Sequence, residues 1–236
     1  TGTGEVEHTR VLTDCRGSIK DSELILGIIL VKTRVHREME LKSKPGRILI
    51  LDGGIEKRRP EIDASLKITN TGAIEAFHAR ERAGLQARID SLKSANIDCL
   101  VTRDGIEEEA HAMLAAAGIL AYRRVERPEI EHLCRATGAR PVFDVDDIQD
   151  EDVGGFASIR EEKWHGVEHA IFEGSQSQGV TVVLRGSTAM RLEEAERAFN
   201  DALGVACQLI REPKLLPGGG ATQIALARRL RRHAET

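Results

Sequence analysis

What most constrains this chain is the alternation of short, β-branched runs with well-punctuated helical segments. "RILIL" (Arg47–Leu51), "IDCLV" (Ile97–Val101), "ILAY" (Ile119–Tyr122), "PVFDV" (Pro141–Val145) and "VTVVL" (Val180–Leu184) have the length and branching of buried strands. "ELILGIILV" (Glu23–Val31) reads as a strand broken by Gly27, with a short buried helix as the alternative. "DGIEEEAHAMLAAAG" opens at Asp104, places three glutamates in its first turn and stops at Gly118. Acids suit the positive end of a helix, and glycine suits the left-handed residue that ends one. Its stripe of Ile106, Ala110, Met113, Leu114 and Ala117 faces a core. "RPEIEHLCRATG" has Pro128 at N1 and Gly138 as its terminator. The strand–helix–strand order from Ile97 to Val145 predicts an α/β (α+β) domain with helices packed on a sheet.

With 236 residues the chain is long enough to bury a core, and aromatics of only 3% leave aliphatic residues and alanine to fill it. A net charge of −4 gives no general pull toward nucleic acid. No apolar run approaches the ~20 residues of a membrane span, and "TGTGEVEH" has no secretory pattern. Cys15, Cys99, Cys134 and Cys207 are scattered without a C-x-x-C pair, so they read as reduced, mostly buried thiols of a cytoplasmic protein. The eight histidines lack H-E-x-x-H, which leaves no metal site to expect. "VDDIQDED" (Val145–Asp152) lacks the spacing of a calcium loop and reads as an exposed acidic connection.

Three helical regions are less ordinary. Asn70–Asn96 has a regular stripe in its second half, Leu85, Ile89 and Leu92, but only Ile74 and Phe77 as large apolar residues in its first. Such a helix either docks along a narrow seam or projects from the domain at its sparse end. From Ala189 to Ile210 a stripe of Leu192, Ala195, Phe199, Ala202, Leu203, Ala206 and Ile210 marks a long helix. Pro213 and Pro217 then break the chain, and Gly218, Gly219 and Gly220 lead into "TQIALARRLRRHA", a basic amphipathic helix.

Those glycines are a candidate phosphate-binding turn, because a bare backbone before a helix N-terminus offers N–H groups and a positive dipole to an anion. A flexible hinge is the plainer alternative, since neither G-x-x-x-x-G-K-[ST] nor a strand-borne G-x-G-x-x-G is present. Asp201 lies beside the apolar stripe of the long helix, where a carboxylate either orients a water or magnesium ion in phosphoryl transfer or is simply solvated.

The order of these pieces resembles a group II chaperonin subunit, the archaeal thermosome and its eukaryotic cytosolic relatives. The resemblance rests on "DSELILGIILVKTRVH" (Asp21–His36), "KPGRILILDGGIEKRRPEIDASLKI" (Lys44–Ile68), "GILAYRRV" (Gly118–Val125) and "LCRATGARPV" (Leu133–Val142). It continues through "VTVVLRGST" (Val180–Thr188), "EAERAFNDALGVA" (Glu194–Ala206) and "LLPGGGATQIALARRLRRHA" (Leu215–Ala234). It implies an intermediate domain at 1–35 and 186–214, with an apical β-sandwich flanked by helices at 36–185. It also implies a helical lid protrusion at about 70–92 and the start of an equatorial domain at 215–236. Asp201 would be the water-positioning catalytic residue, and Gly218–Gly220 one wall of an ATP pocket. Ile74 and Phe77 would be client-binding residues, with the helices around Ile106–Ala117 and Glu129–Ala136 as further candidates whose apolar residues read equally well as core.

The resemblance also implies ATP and magnesium in a full-length subunit, and none in a stretch lacking the phosphate loop. Its partners would be unfolded client proteins and the other subunits of a double ring, with neither nucleic acid nor membrane. The chain alone is expected to be inactive as an ATPase. The rival expectation is a stand-alone chaperonin-like binding module without an ATPase cycle. Three stretches depart from the family: "VHREME" (Val35–Glu40) replaces a Pro-Gly turn, "EGSQSQG" (Glu173–Gly179) replaces a lysine- and proline-bearing loop, and Gly84 interrupts the protrusion helix.

Overall fold

The computed structural model describes residues 9–56, 71–174 and 179–234, and the side chains of these except for 71–77. The chain divides into two compact units, one of them His8–Leu192 and the other containing Glu193–Thr236. The described residues form a mixed α/β arrangement of nine strands and five α-helices.

The first unit is built on a six-stranded sheet. Its parallel part is β4 (Gly46–Leu51), β5 (Cys99–Thr102) and β6 (Leu120–Tyr122), registered Ile48 to Cys99 to Leu120. Strands covered on both faces must be apolar throughout rather than alternating. Ile48–Leu51, Cys99–Val101 and Leu120–Tyr122 are accordingly all buried. Helix α1 (Thr71–Ser94) connects β4 to β5, and α2 (Glu108–Ala116) connects β5 to β6. Beyond β4 the sheet continues antiparallel through β7 (Gly154–Trp164), β8 (Val167–Gly174) and β3 (Gly27–Leu30). Helix α3 (Arg127–Thr137) packs on β3, β4, β7 and β8, with Pro128 in its first turn and Gly138 ending it at φ +74°.

A smaller sheet has the order β1 (Thr9–Asp14), β9 (Val180–Arg185), β2 (Glu23–Ile25), with β9 parallel to β1 and antiparallel to β2. The strand reading of "ELILGIILV" therefore holds, and its two halves serve different sheets. The change occurs at Gly27, where a Cβ atom would lie 1.8 Å from the Phe172 carbonyl oxygen. Only glycine lets β3 approach β8 this closely.

Two sequence expectations are corrected. "PVFDV" is not a strand: Val142 alone bridges to Leu51, and Val145–Asp147 coils into a 3-10 turn. β7 pairs with β4 only at Gly46–Ile48, so Val142 fills the next place with hydrogen bonds to Ile50 and Asp52, and Pro141 has no N–H to extend them. The helix expected to open at Asp104 starts at Glu108 instead. Ile55 bonds to Gly105 and Glu107, holding Ile106 in an extended bridge and leaving only Glu108 and Glu109 in the first turn.

Along α1 the two expected regimes are visible. Leu85, Ile89 and Leu92 are buried, whereas residues 78–84 are exposed apart from half-buried Glu81. Of the cysteines, Cys99 and Cys207 are buried, Cys134 is half-buried and Cys15 is exposed. Burial pushes the Cys134 thiol up to about 11 and raises that of Cys99 further, so both stay protonated.

Candidate functional site

The residues read from sequence as a nucleotide half-site fall in the second compact unit. Helix α4 (Ala189–Arg211) carries Asp201 on its exposed face, and Asp201 makes no ion pair among the described residues. After α4 the chain runs without regular structure to a turn at residues 218–220, and α5 (Ala221–Ala234) follows. Gly219 and Gly220 have φ of +67° and +79°, and no atom lies within 4 Å of where a Cβ would be. Their glycine identity is thus demanded by the sign of φ and not by a close neighbour. A left-handed glycine turn feeding a helix N-terminus presents amide N–H groups to one side, which suits an anion.

The client-binding candidates Ile74 and Phe77 lie on the backbone of α1, but their side chains are outside the described residues. The apolar residues expected as further client contacts are mostly core: Ile106 just before α2, Ala110 and Leu114 in α2, and Ile130, Leu133 and Ala136 in α3 are buried. Those helices therefore turn their apolar stripes inward. No group of three or more metal-ligating side chains occurs among the described residues. No helix among them is long and apolar enough to cross a membrane.

Sequence reasoning missed a buried ionic cluster at the end of β1. Asp14 is 1% exposed. Its carboxylate accepts hydrogen bonds from Arg16 Nε at 3.1 Å and Arg185 Nη1 at 3.1 Å, and its Oδ1 lies 3.0 Å from His165 Nε2. Burial alone would raise the Asp14 pKa, but bonding and charge from Arg16, with Arg185 and His165, hold it below the ordinary aspartate value. Arg185 also donates to Glu23 at 2.7 Å, and an open cavity of about 300 Å3 lies against Arg16, Gly17, Asp21, Glu23 and Arg185. Nothing in the local pattern of "TDCRG" announced this cluster, because its members are up to 171 residues apart. A second polar centre fixes the "VHREME" region. Glu161 accepts from the buried Tyr122 hydroxyl and from the Arg34 backbone N–H, both at 3.0 Å, while Arg34 Nη1 donates to the Met39 carbonyl at 2.7 Å.

Comparison with known proteins accounts for this architecture. Residues 2–236 match the TCP-1/cpn60 chaperonin family. The chain is 36% identical to the thermosome subunit beta of Aeropyrum pernix over 98% of its own length and 42% of that subunit. It is 40% identical to the thermosome subunit alpha of Saccharolobus solfataricus, over 93% of this chain and 40% of the relative. The fold superposes on the open-state monomer of a group II chaperonin from Methanococcoides burtonii with a TM-score of 0.73 and 28% identity, covering 98% of this chain and 51% of that one. The chain thus spans less than half the length of these curated relatives.

Proposed function

The chain belongs to the TCP-1/cpn60 chaperonin family, and we propose that it is the client-handling and ATP-relay part of a group II chaperonin subunit. Its unit His8–Leu192 carries the capture surface and the lid, and α4 carries Asp201 toward the nucleotide. In the intact subunit Asp201 positions the attacking water, and Gly218–Gly220 form one wall of the ATP pocket. A ring of such subunits in the cytoplasm encloses a non-native protein.

The observation that carries this reading is collinear similarity to a group II chaperonin monomer over 98% of the chain. The exposure of residues 78–84, just before α1 becomes buried, supports a projecting lid. An exposed Asp201 supports a residue that acts on a ligand and not on the fold. The physical basis of capture is general: burying apolar area is worth about 25 cal/mol per Å2 whatever the client sequence.

ATP and magnesium are the cofactors this reading requires. When bound they supply the phosphoryl group and neutralise its charge. The left-handed Gly219–Gly220 turn and the free Asp201 carboxylate fit that role. The test is a full-length subunit carrying Asp201→Ala, together with Ile74→Glu and Phe77→Glu in the present chain. The first should keep ATP binding and lose most hydrolysis. The second should lose suppression of client aggregation with unchanged thermal stability. Normal turnover in the first, or global destabilisation in the second, would remove the corresponding assignment.

A further inference from the structure

A recess of about 890 Å3 lies between the second half of α1 and the chain at residues 145–150, a volume ordinary for a ligand groove. Both walls are set by the fold. The turn Val145–Asp147 packs on α1, Val145 is buried, and Ile148 joins the edge of the core. Val142 stands beside β4 on the side away from β5, so the recess opens on the flank of α1 that α2 does not cover. Its floor is small and apolar, from Ala87 and Ala95 on α1 to Val145 and Ile148 opposite.

The polar groups around that floor are nearly all acceptors. Ser91 and Ser94 donate their hydroxyl protons to the Ala87 and Asp90 carbonyls, at 3.1 and 2.8 Å, and leave oxygen lone pairs for anything else. Asp90 accepts from the neutral Gln86 amide at 2.9 Å and therefore keeps its charge. Asp146 and Asp150 stand on the opposite wall, with Asp150 paired to Arg47 at 2.8 Å. Gln149 alone among the lining side chains has an N–H donor to spare. The recess also lies toward the C-terminal end of α1, where the helix dipole is negative.

We propose that this recess holds an extended, lysine- or arginine-bearing segment of a client polypeptide. That the occupant is a client rests on the chaperonin reading above. A segment of this kind supplies what the walls lack, namely N–H donors and positive charge, on a methylene stem that can lie against Ala87, Ala95 and Ile148. An acidic segment is repelled by Asp90 and sets its acceptors against other acceptors. Capture at this recess is therefore selective by charge, in contrast to capture by burial of apolar area.

Fluorescein-labelled lysine–alanine and glutamate–alanine peptides, titrated with the chain and followed by polarisation, test the recess whatever its biological role. The lysine peptide should bind saturably and more weakly as salt rises, and the glutamate peptide should not bind. Asp90→Asn should weaken binding about two- to fivefold. Ser91 is exposed, so Ser91→Lys seats a tethered cation in the recess without touching the core. It should weaken binding about tenfold or more with thermal stability unchanged. Equal binding of both peptides, or no loss in Ser91→Lys, would overturn the site. Aggregation of reduced lysozyme, a basic client, and of reduced α-lactalbumin, an acidic one, tests the occupant. Ser91→Lys should lose protection of the first and keep protection of the second. If the wild-type chain protects neither, the client assignment fails together with the chaperonin reading, while the peptide titration still judges the recess. A dimer in sedimentation that Ser91→Lys dissociates would also overturn the client assignment, by placing a second copy in the recess.

Discussion

The second half of α1 and the helices α4 and α5 carry comparably regular apolar positions, yet they end differently. Leu85, Ile89 and Leu92 are at most 3% exposed, whereas Ile210, Ile224 and Leu230 are 55% exposed or more. The buried helix belongs to a βαβ connection, which returns it to the face of the sheet it has just left. The exposed helices follow the last strand, β9, so no later strand returns them to a sheet within these residues. An apolar stripe thus states that a helix suits a partner, and connectivity decides whether it meets one.

Leu92 and Leu230 give this contrast its largest expected effect. Leu92→Ala should cost about 2–5 kcal/mol through lost burial and a residual cavity. Leu230→Ala should stay within about 0.5 kcal/mol, as surface substitutions usually do. Urea unfolding of both variants measures the difference, and similar losses would mean that α5 is as integral to stability as α1.

Acid sharpens the contrast next, because the first unit depends on a buried charge. The native pKa of Asp14 is depressed, so its contribution is complete above the ordinary aspartate value of 3.8 and is lost as pH falls below that value through the native one. Stability measured from pH 6 downward should fall across that acid window, and Asp14→Asn should flatten the fall. An equally steep fall in the variant would assign the acid sensitivity to other carboxylates.

The smallest effect lies within α1. Gly84 has nothing within 4 Å of an added Cβ and sits in exposed helix just before the buried stripe. Gly84→Ala should therefore stabilise by about 0.5–1 kcal/mol. A thermal midpoint that fails to rise would show that the helix does not persist through this residue in solution.

Much of the fold was legible in the sequence because its signals are local. β4, β5, β6 and β9 are runs of branched apolar residues, and Gly138 ends α3 at the expected residue. The start of α2 and the fate of "PVFDV" were not legible, because each depends on a distant partner, Ile55 in one case and the open side of β4 in the other. Of the candidate site, the glycine turn was legible from composition alone, since positive φ selects glycine directly. The inward stripes of α2 and α3 were not distinguishable from a client-facing surface by periodicity, which registers a face and not what covers it.

The sequence by itself determined the strand and helix types, the break at Gly27 and the family of the chain, because propensity, punctuation and residue order are properties of short segments. Only the tertiary structure decided that the halves of "ELILGIILV" serve different sheets and that Asp14 gathers Arg16, His165 and Arg185. Such ionic contacts arise when β-pairing brings remote strand ends together, and they leave no periodic trace along the chain.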